Sequence, residues 1–263
     1  MHATSTREAR LVALREELRT IESAGRAAGR ARLPLGIAEV DGALAGGGLA
    51  VGALHETAPA SPALGDEAAA TLFLAALAAR LSRTRDDRTV LWALARRDLF
   101  APGLALAGLT PERLLYAECR RDEEVLAVME EGLRHGGLAA VVGEVGALGL
   151  AAGRRLQLAA EEKGTTALML RRWRKANADP LALPSAAVTR WRIGCAPSER
   201  RTNVATVGRA RWQVALVRQR GGEAHDWILE APDAEARLAL FSRAADRPDQ
   251  AIGGAGTQRR AAA

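Results

Sequence analysis

His55 and Glu56 stand side by side, a pairing that in other settings makes a metal ligand or a general base. A helical zinc motif needs a second histidine four residues on. None follows here, and His2, His135 and His225 are scattered along the chain. The plainer reading is a structural histidine at a strand end. Cys119 and Cys195 have no base partner at a readable spacing, and the chain has no G-x-S-x-G nucleophile elbow. These residues therefore predict no catalytic group, no metal site and no cofactor.

A different chemistry is suggested by Arg171-Arg172-Trp173-Arg174-Lys175. Arginines hold phosphates, and an interleaved indole can stack on an unpaired base, so the run is a candidate single-stranded DNA contact. The alternative is a solvated edge with Trp173 in the core. Lys163 and Lys175 are the only lysines among 37 basic residues, a bias towards arginine that also reflects a GC-rich base composition. The distribution says more than the net charge of +6. Residues 171–220 hold twelve basic residues against Asp179 and Glu199, so this segment carries +10 and the remainder −4. Such a concentration is the footprint expected for an acidic partner. No apolar run reaches the length of a membrane span, Met1–Arg19 is charged throughout, and two cysteines make no disulfide framework. A cytoplasmic protein is the expectation.

The elements that must position these residues can be read from periodicity. Ser5–Ala24 is an amphipathic helix with Leu11, Leu14, Leu18 and Ile21 along one stripe, followed by a small, basic linker from Gly25 to Arg32. Val51–Glu56 reads as the first strand, and Asp66–Leu81 as a long helix. Arg88–Leu94, Leu114–Glu118, Leu138–Val145 and Thr165–Arg171 read as strands, alternating with helices at Asp98–Leu106, Asp122–His135 and Leu150–Glu162. That alternation predicts an α/β fold with a mostly parallel sheet flanked by helices. After Pro184 come Ala187–Ile193, Arg211–Arg218 and Ala224–Leu229, expected as antiparallel strands at one sheet edge, with a turn at Gly221-Gly222. Pro232–Ala244 reads as a last helix, and the tail from Asp246 as disordered. The expected division is 1–32 for helix and linker, 33–245 for the core domain, and 246–263 for the tail.

The order of glycine-rich turn, strand, loop, long helix and later all-apolar strand resembles a RecA-type ATPase core. The likeness runs over roughly residues 30–230, through Leu35–Glu56, Leu114-Leu115-Tyr116, Val141–Leu148 and the edge strands near Trp212. Within that superfamily, Gly46-Gly-Gly-Leu-x-x-Gly52-x-x-His55-Glu56 is most similar to the ImuA family, small RecA-like proteins of bacterial SOS-induced mutagenesis.

That resemblance assigns the phosphate loop to Ala58, Pro59, Gly65, Asp66 and Glu67. A working loop has G-x-x-x-x-G-K-[ST], whose lysine and hydroxyl serve the phosphates and Mg²⁺. Asp66 and Glu67 replace both. Two carboxylates in the first turn satisfy the helix dipole by about 0.3–1 kcal/mol each, and they repel a triphosphate. The strand acid that holds Mg²⁺ aligns with Gly143, with Glu144 one residue on and expected to face the other way. Arg96-Arg97 stand where the water-activating acid belongs, Asp98 being the nearest carboxylate. A non-catalytic accessory protein of error-prone translesion synthesis is what the resemblance implies. Its partners would be a Y-family polymerase-like protein of the ImuB type, an error-prone replicative-type DNA polymerase and RecA. The N-terminal helix would serve a partner or self-association. A SulA-like inhibitor of cell division and a recombination mediator that binds single-stranded DNA are the alternatives.

Overall fold

The computed structural model describes residues 31–197 and 209–241. Among these, nine strands form one sheet, and a two-residue pair, β1 (Arg32–Leu33) with β2 (Leu49–Ala50), stands apart from it. The chain then makes β3 (Leu54–Pro59), the long helix α2 (Leu64–Arg83) and β4 (Val90–Leu94). The short α1 (Ala38–Ala43) precedes them, and α3 (Ala101–Leu106) leads to β5 (Leu114–Glu118). Helix α4 (Asp122–His135), β6 (Ala140–Val145), α5 (Leu150–Lys163) and β7 (Thr166–Arg171) complete the alternating part. The edge follows as β8 (Thr189–Ala196), β9 (Arg211–Gln219), β10 (His225–Glu230) and β11 (Ala239–Leu240).

The sheet order is β11-β10-β9-β8-β3-β7-β6-β4-β5. From β8 to β5 every pairing is parallel, and β8 to β11 pair antiparallel. Central strands are buried on both faces, which is why β6 is apolar without alternation from Ala140 to Gly143, ahead of the buried Glu144. By contrast β9 alternates, with Trp212, Val214 and Leu216 inward and Gln213 and Val217 outward. On one side of the sheet α2 packs Phe73, Leu74 and Leu77 with Trp92, Leu168 and Trp191. On the other, α4 and α5 bring Val125, Met129, Leu133 and Leu156 against Val141 and Met169. Successive strand residues therefore feed opposite cores, and this sorts the charged residues described below.

The expected α/β architecture is the observed one, with three differences. The first strand begins at Leu54, not Val51, because Gly52 takes positive φ beside Gly164. Helix α3 begins at Ala101, since Asp98 is drawn into ion pairs with Arg96 and Arg172. No helix forms over 232–241. Asp233 accepts the Glu235 and Arg237 N–H groups in a tight turn, Ala236 takes φ +57°, and Arg80 and Arg83 bind the carbonyls of 234–236. A helix would need those carbonyls, and the chain instead returns as β11. The stripe of Leu11, Leu14, Leu18 and Ile21, and the tail from Asp246, lie outside the described residues.

Candidate functional site

Strand β3 hands the chain to α2 through the loop that the resemblance aligns with a phosphate loop. Ala58 and Pro59 are buried in the strand, and Pro59 offers no N–H. Several of the loop's polar groups bind within the protein. Ala60 N–H donates to the Ile193 carbonyl at 2.7 Å. The Asp66 carboxylate accepts from the Ser61 hydroxyl at 2.6 Å and from the Cys195 N–H at 2.7 Å. Asp66 is thus a strut between the loop and β8. An added Cβ at Gly65 would lie 3.2 Å from the Cys195 sulfur, so the loop already packs closely on that strand.

Beside it, Arg172 is bound by three carboxylates. Its Nη1 donates to Glu67 Oε2 at 2.9 Å, and Nη2 reaches Glu144 Oε2 at 2.7 Å and Asp98 Oδ1 at 3.2 Å. Nε donates to the same Glu144 oxygen at 2.9 Å, and the Trp92 indole N–H holds the other at 2.7 Å. Arg96 adds contacts to Asp98 at 2.9 Å and Glu67 at 3.7 Å. Burial alone would lower the Arg172 pKa, but Glu144, Asp98 and Glu67 together raise it above the ordinary value. Burial pushes the Glu144 carboxyl up, opposed by Arg172 and the Trp92 bond.

Glu144 corrects the sequence reading, which turned it away from the site. Strand alternation does put Gly143 and Glu144 on opposite faces, but Glu144 is the one that faces α2 and the phosphate loop. Gly143 faces α4, where an added Cβ would come within 2.1 Å of the Met129 sulfur. A larger residue at that position would require the Met129 side chain to move.

The run 171–175 also divides. Arg171 and Arg172 were candidates for DNA contact, but both are buried, 2% and 8% exposed, and their charge is spent on internal carboxylates. β7 ends between the two cores, so Arg171 points to the α4/α5 side and Arg172 to the α2 side. Trp173 is half-buried and its indole donates to the Pro59 carbonyl at 3.1 Å. Arg174 pairs with Asp122 at 2.5 Å yet stays largely exposed, and Lys175 is exposed.

On the opposite face lies a second buried cluster that composition could not reveal. Glu56 is fully buried and takes Arg190 Nε at 3.1 Å, Arg171 Nη1 at 3.4 Å and the Ser185 hydroxyl. Desolvation pulls the Arg171 guanidinium below its ordinary value, and Glu56 offsets this in part. His55, on the other face of the strand, is held by the Thr189 hydroxyl at 2.7 Å and the Ala50 carbonyl at 2.8 Å. The one signal in the sequence was a glutamate in an otherwise buried strand, paired in register with Arg190.

Between these strand ends and α4 opens a cleft of about 840 Å³ lined by Arg96, Arg120, Arg121, Trp173 and Arg174, with Asp122 and Glu123. Clefts at the carboxyl ends of parallel strands are where such folds bind ligands. The sequence reading missed Arg96, Arg120 and Arg121 here, because they come from outside the basic segment. Among the described residues no group of three or more His, Cys, Asp or Glu is arranged to hold a metal ion, and no helix is long and apolar enough to cross a membrane.

No family model matches the chain. The crystal structure of the RadB recombinase superimposes with a TM-score of 0.54 at 15% identity, covering 80% of this chain and all of that one. That likeness makes the fold RecA-like. SulA from Pseudomonas aeruginosa, at 27% identity, reaches a TM-score of only 0.39 over 45% of this chain. Protein ImuA from two strains of Caulobacter vibrioides is 40% identical over 209 residues, spanning 77% of this chain and 84% of the relative. On that identity and coverage, the chain belongs to the ImuA family.

Proposed function

We propose that this chain is a non-catalytic accessory protein of error-prone translesion DNA synthesis in the SOS response to DNA damage. One observation supports the non-catalytic part: Arg172 is bound to Glu67, Asp98 and Glu144 beside the loop that joins β3 to α2. Phosphoryl transfer depends on positioned cations around the phosphates, and here the cation faces protein carboxylates. Membership of the ImuA family supports the SOS role. A RecA-like core without a nucleotide cycle then acts as a scaffold. Its partners are a Y-family polymerase-like protein of the ImuB type, an error-prone replicative-type polymerase and RecA. Leu11, Leu14, Leu18 and Ile21 serve a partner or self-association. Trp173, Arg174 and Lys175, beside the cleft, contact single-stranded DNA. The protein works in the cytoplasm, at the nucleoid once DNA is damaged.

The test is the UV-induced mutation frequency of a strain lacking the gene, scored with cell length. Deletion is expected to collapse induced mutation with normal division, and the wild-type gene to restore it. Complementation by Arg174→Glu/Lys175→Glu is expected to restore it only in part, since charge reversal repels a phosphate backbone. Unchanged mutation with altered damage-induced filamentation would overturn the proposal in favour of division control.

A further inference from the structure

Glu67, Asp98 and Glu144 come from three separate elements, the start of α2, the loop after β4 and the end of β6. Three carboxylates gathered this closely repel one another and need a cation among them. Arg96 reaches Asp98 and Glu67, but the guanidinium that pairs with all three belongs to the residue directly after β7. The Arg172 N–H continues the sheet ladder by donating to the Val145 carbonyl at 2.9 Å, so the base of the side chain is fixed by the sheet itself. The next two residues are pinned as well, each to a different element. Trp173 binds the Pro59 carbonyl at 3.1 Å at the end of β3, and Arg174 binds Asp122 at the start of α4.

We propose that Arg172 is the resident cation of the degenerate site, and that it holds the loop after β7 in one position without any nucleotide. The inference rests on the reading of that site as degenerate, and deepens it. In a nucleotide-driven relative, the groups around the phosphates gather when metal and nucleotide arrive by diffusion. Here the cation is part of the chain, so its effective concentration at the carboxylates is permanent. Loop and site are locked together, and Trp173 with Arg174 is presented to the cleft in a constant arrangement. Neutralising Arg172 should loosen the loop.

The experiment uses the full-length chain with ¹⁵N-labelled tryptophan. Five indole N–H signals report on five sites. In Arg172→Met, the Trp92 signal is expected to shift, and the Trp173 indole to exchange with water about tenfold faster than in the wild type. Unmoved Trp212 and Trp227 signals would show that the fold is intact. Unchanged Trp173 exchange in the folded variant would overturn the proposal. Arg172→Lys guards against a variant that fails to fold. One ammonium cannot reach all three carboxylates with the same geometry, so Trp173 exchange should again rise, and no rise there counts against the lock. Nucleotide binding by the wild type, measured separately, would refute the degenerate site instead, so the two failures can be told apart.

Discussion

Glu56→Ala is expected to cost about 3–5 kcal/mol of folding stability, the range for breaking a buried ion pair by removing one partner. The carboxylate is fully buried and is shared by Arg171 and Arg190, themselves 2% and 7% exposed. Arg171 Nε and Arg190 Nη2 already lack a hydrogen-bond partner, so the cluster has no spare acceptor to offer once Glu56 is gone. Domains are stable by only about 5–15 kcal/mol, so a loss of this size is a large share of the total. Urea denaturation measures it as a fall in midpoint. Replacing all three together, Glu56→Leu with Arg171→Met and Arg190→Leu, is expected to recover most of the loss, because no charge is then left buried alone. A Glu56→Ala variant within about 1 kcal/mol of the wild type would mean that the pairs are as weak as surface ones.

Glu144→Ala should rank second, at about 3 kcal/mol. The loss is smaller because Arg172 keeps Glu67 and Asp98, but the Trp92 indole N–H is left buried without its acceptor. This carboxyl also gives stability a pH signature. Burial raises its folded pKa above the ordinary 4.5, so the native protein holds a proton where the unfolded chain has released it. Stability from this group is therefore greatest below that ordinary value, and falls as pH rises from 4.5 through the raised value. Glu144→Gln keeps an acceptor for Trp92 and removes the titration. The wild type is expected to lose stability relative to this variant across that window, and a flat or rising difference would contradict the assignment.

Legibility in the sequence followed the kind of force at work. Helices α4 and α5 were readable because acids or apolar spacing start them and Gly136 and Gly164, both at positive φ, stop them. Strand β6 was readable because burial on both faces leaves an apolar run up to Gly143, which Glu144 alone interrupts before Val145. Over the described residues 232–241 the expected helix was a misreading: the alanines and leucines fit one, whereas Arg80 and Arg83, some 150 residues earlier, bind the carbonyls there. In the site, it is the resemblance to RecA-type cores that sets Asp66 and Glu67 where a working phosphate loop has its lysine and hydroxyl. The fate of Arg171 and Arg172 was hidden, because a charge run looks the same whether it is solvated or paired. Only the sheet order sets β7 between β3 and β6, bringing Glu56 to one arginine and Glu144 to the other. The register of Glu144 was misjudged for a similar reason, since alternation says that neighbours face opposite ways and not which of them faces α2.

Central to this account is a phosphate site filled by the protein's own charges, and thermal unfolding of the purified wild-type chain with and without millimolar Mg-ATP tests it most directly. A ligand bound only by the native state raises stability by RT ln(1 + [L]/Kd). The account predicts an unchanged Tm, and equally no shift with Mg-ADP. A saturable rise in Tm that requires Mg²⁺, and is lost in Arg172→Met, would show that nucleotide does occupy the site and would contradict it.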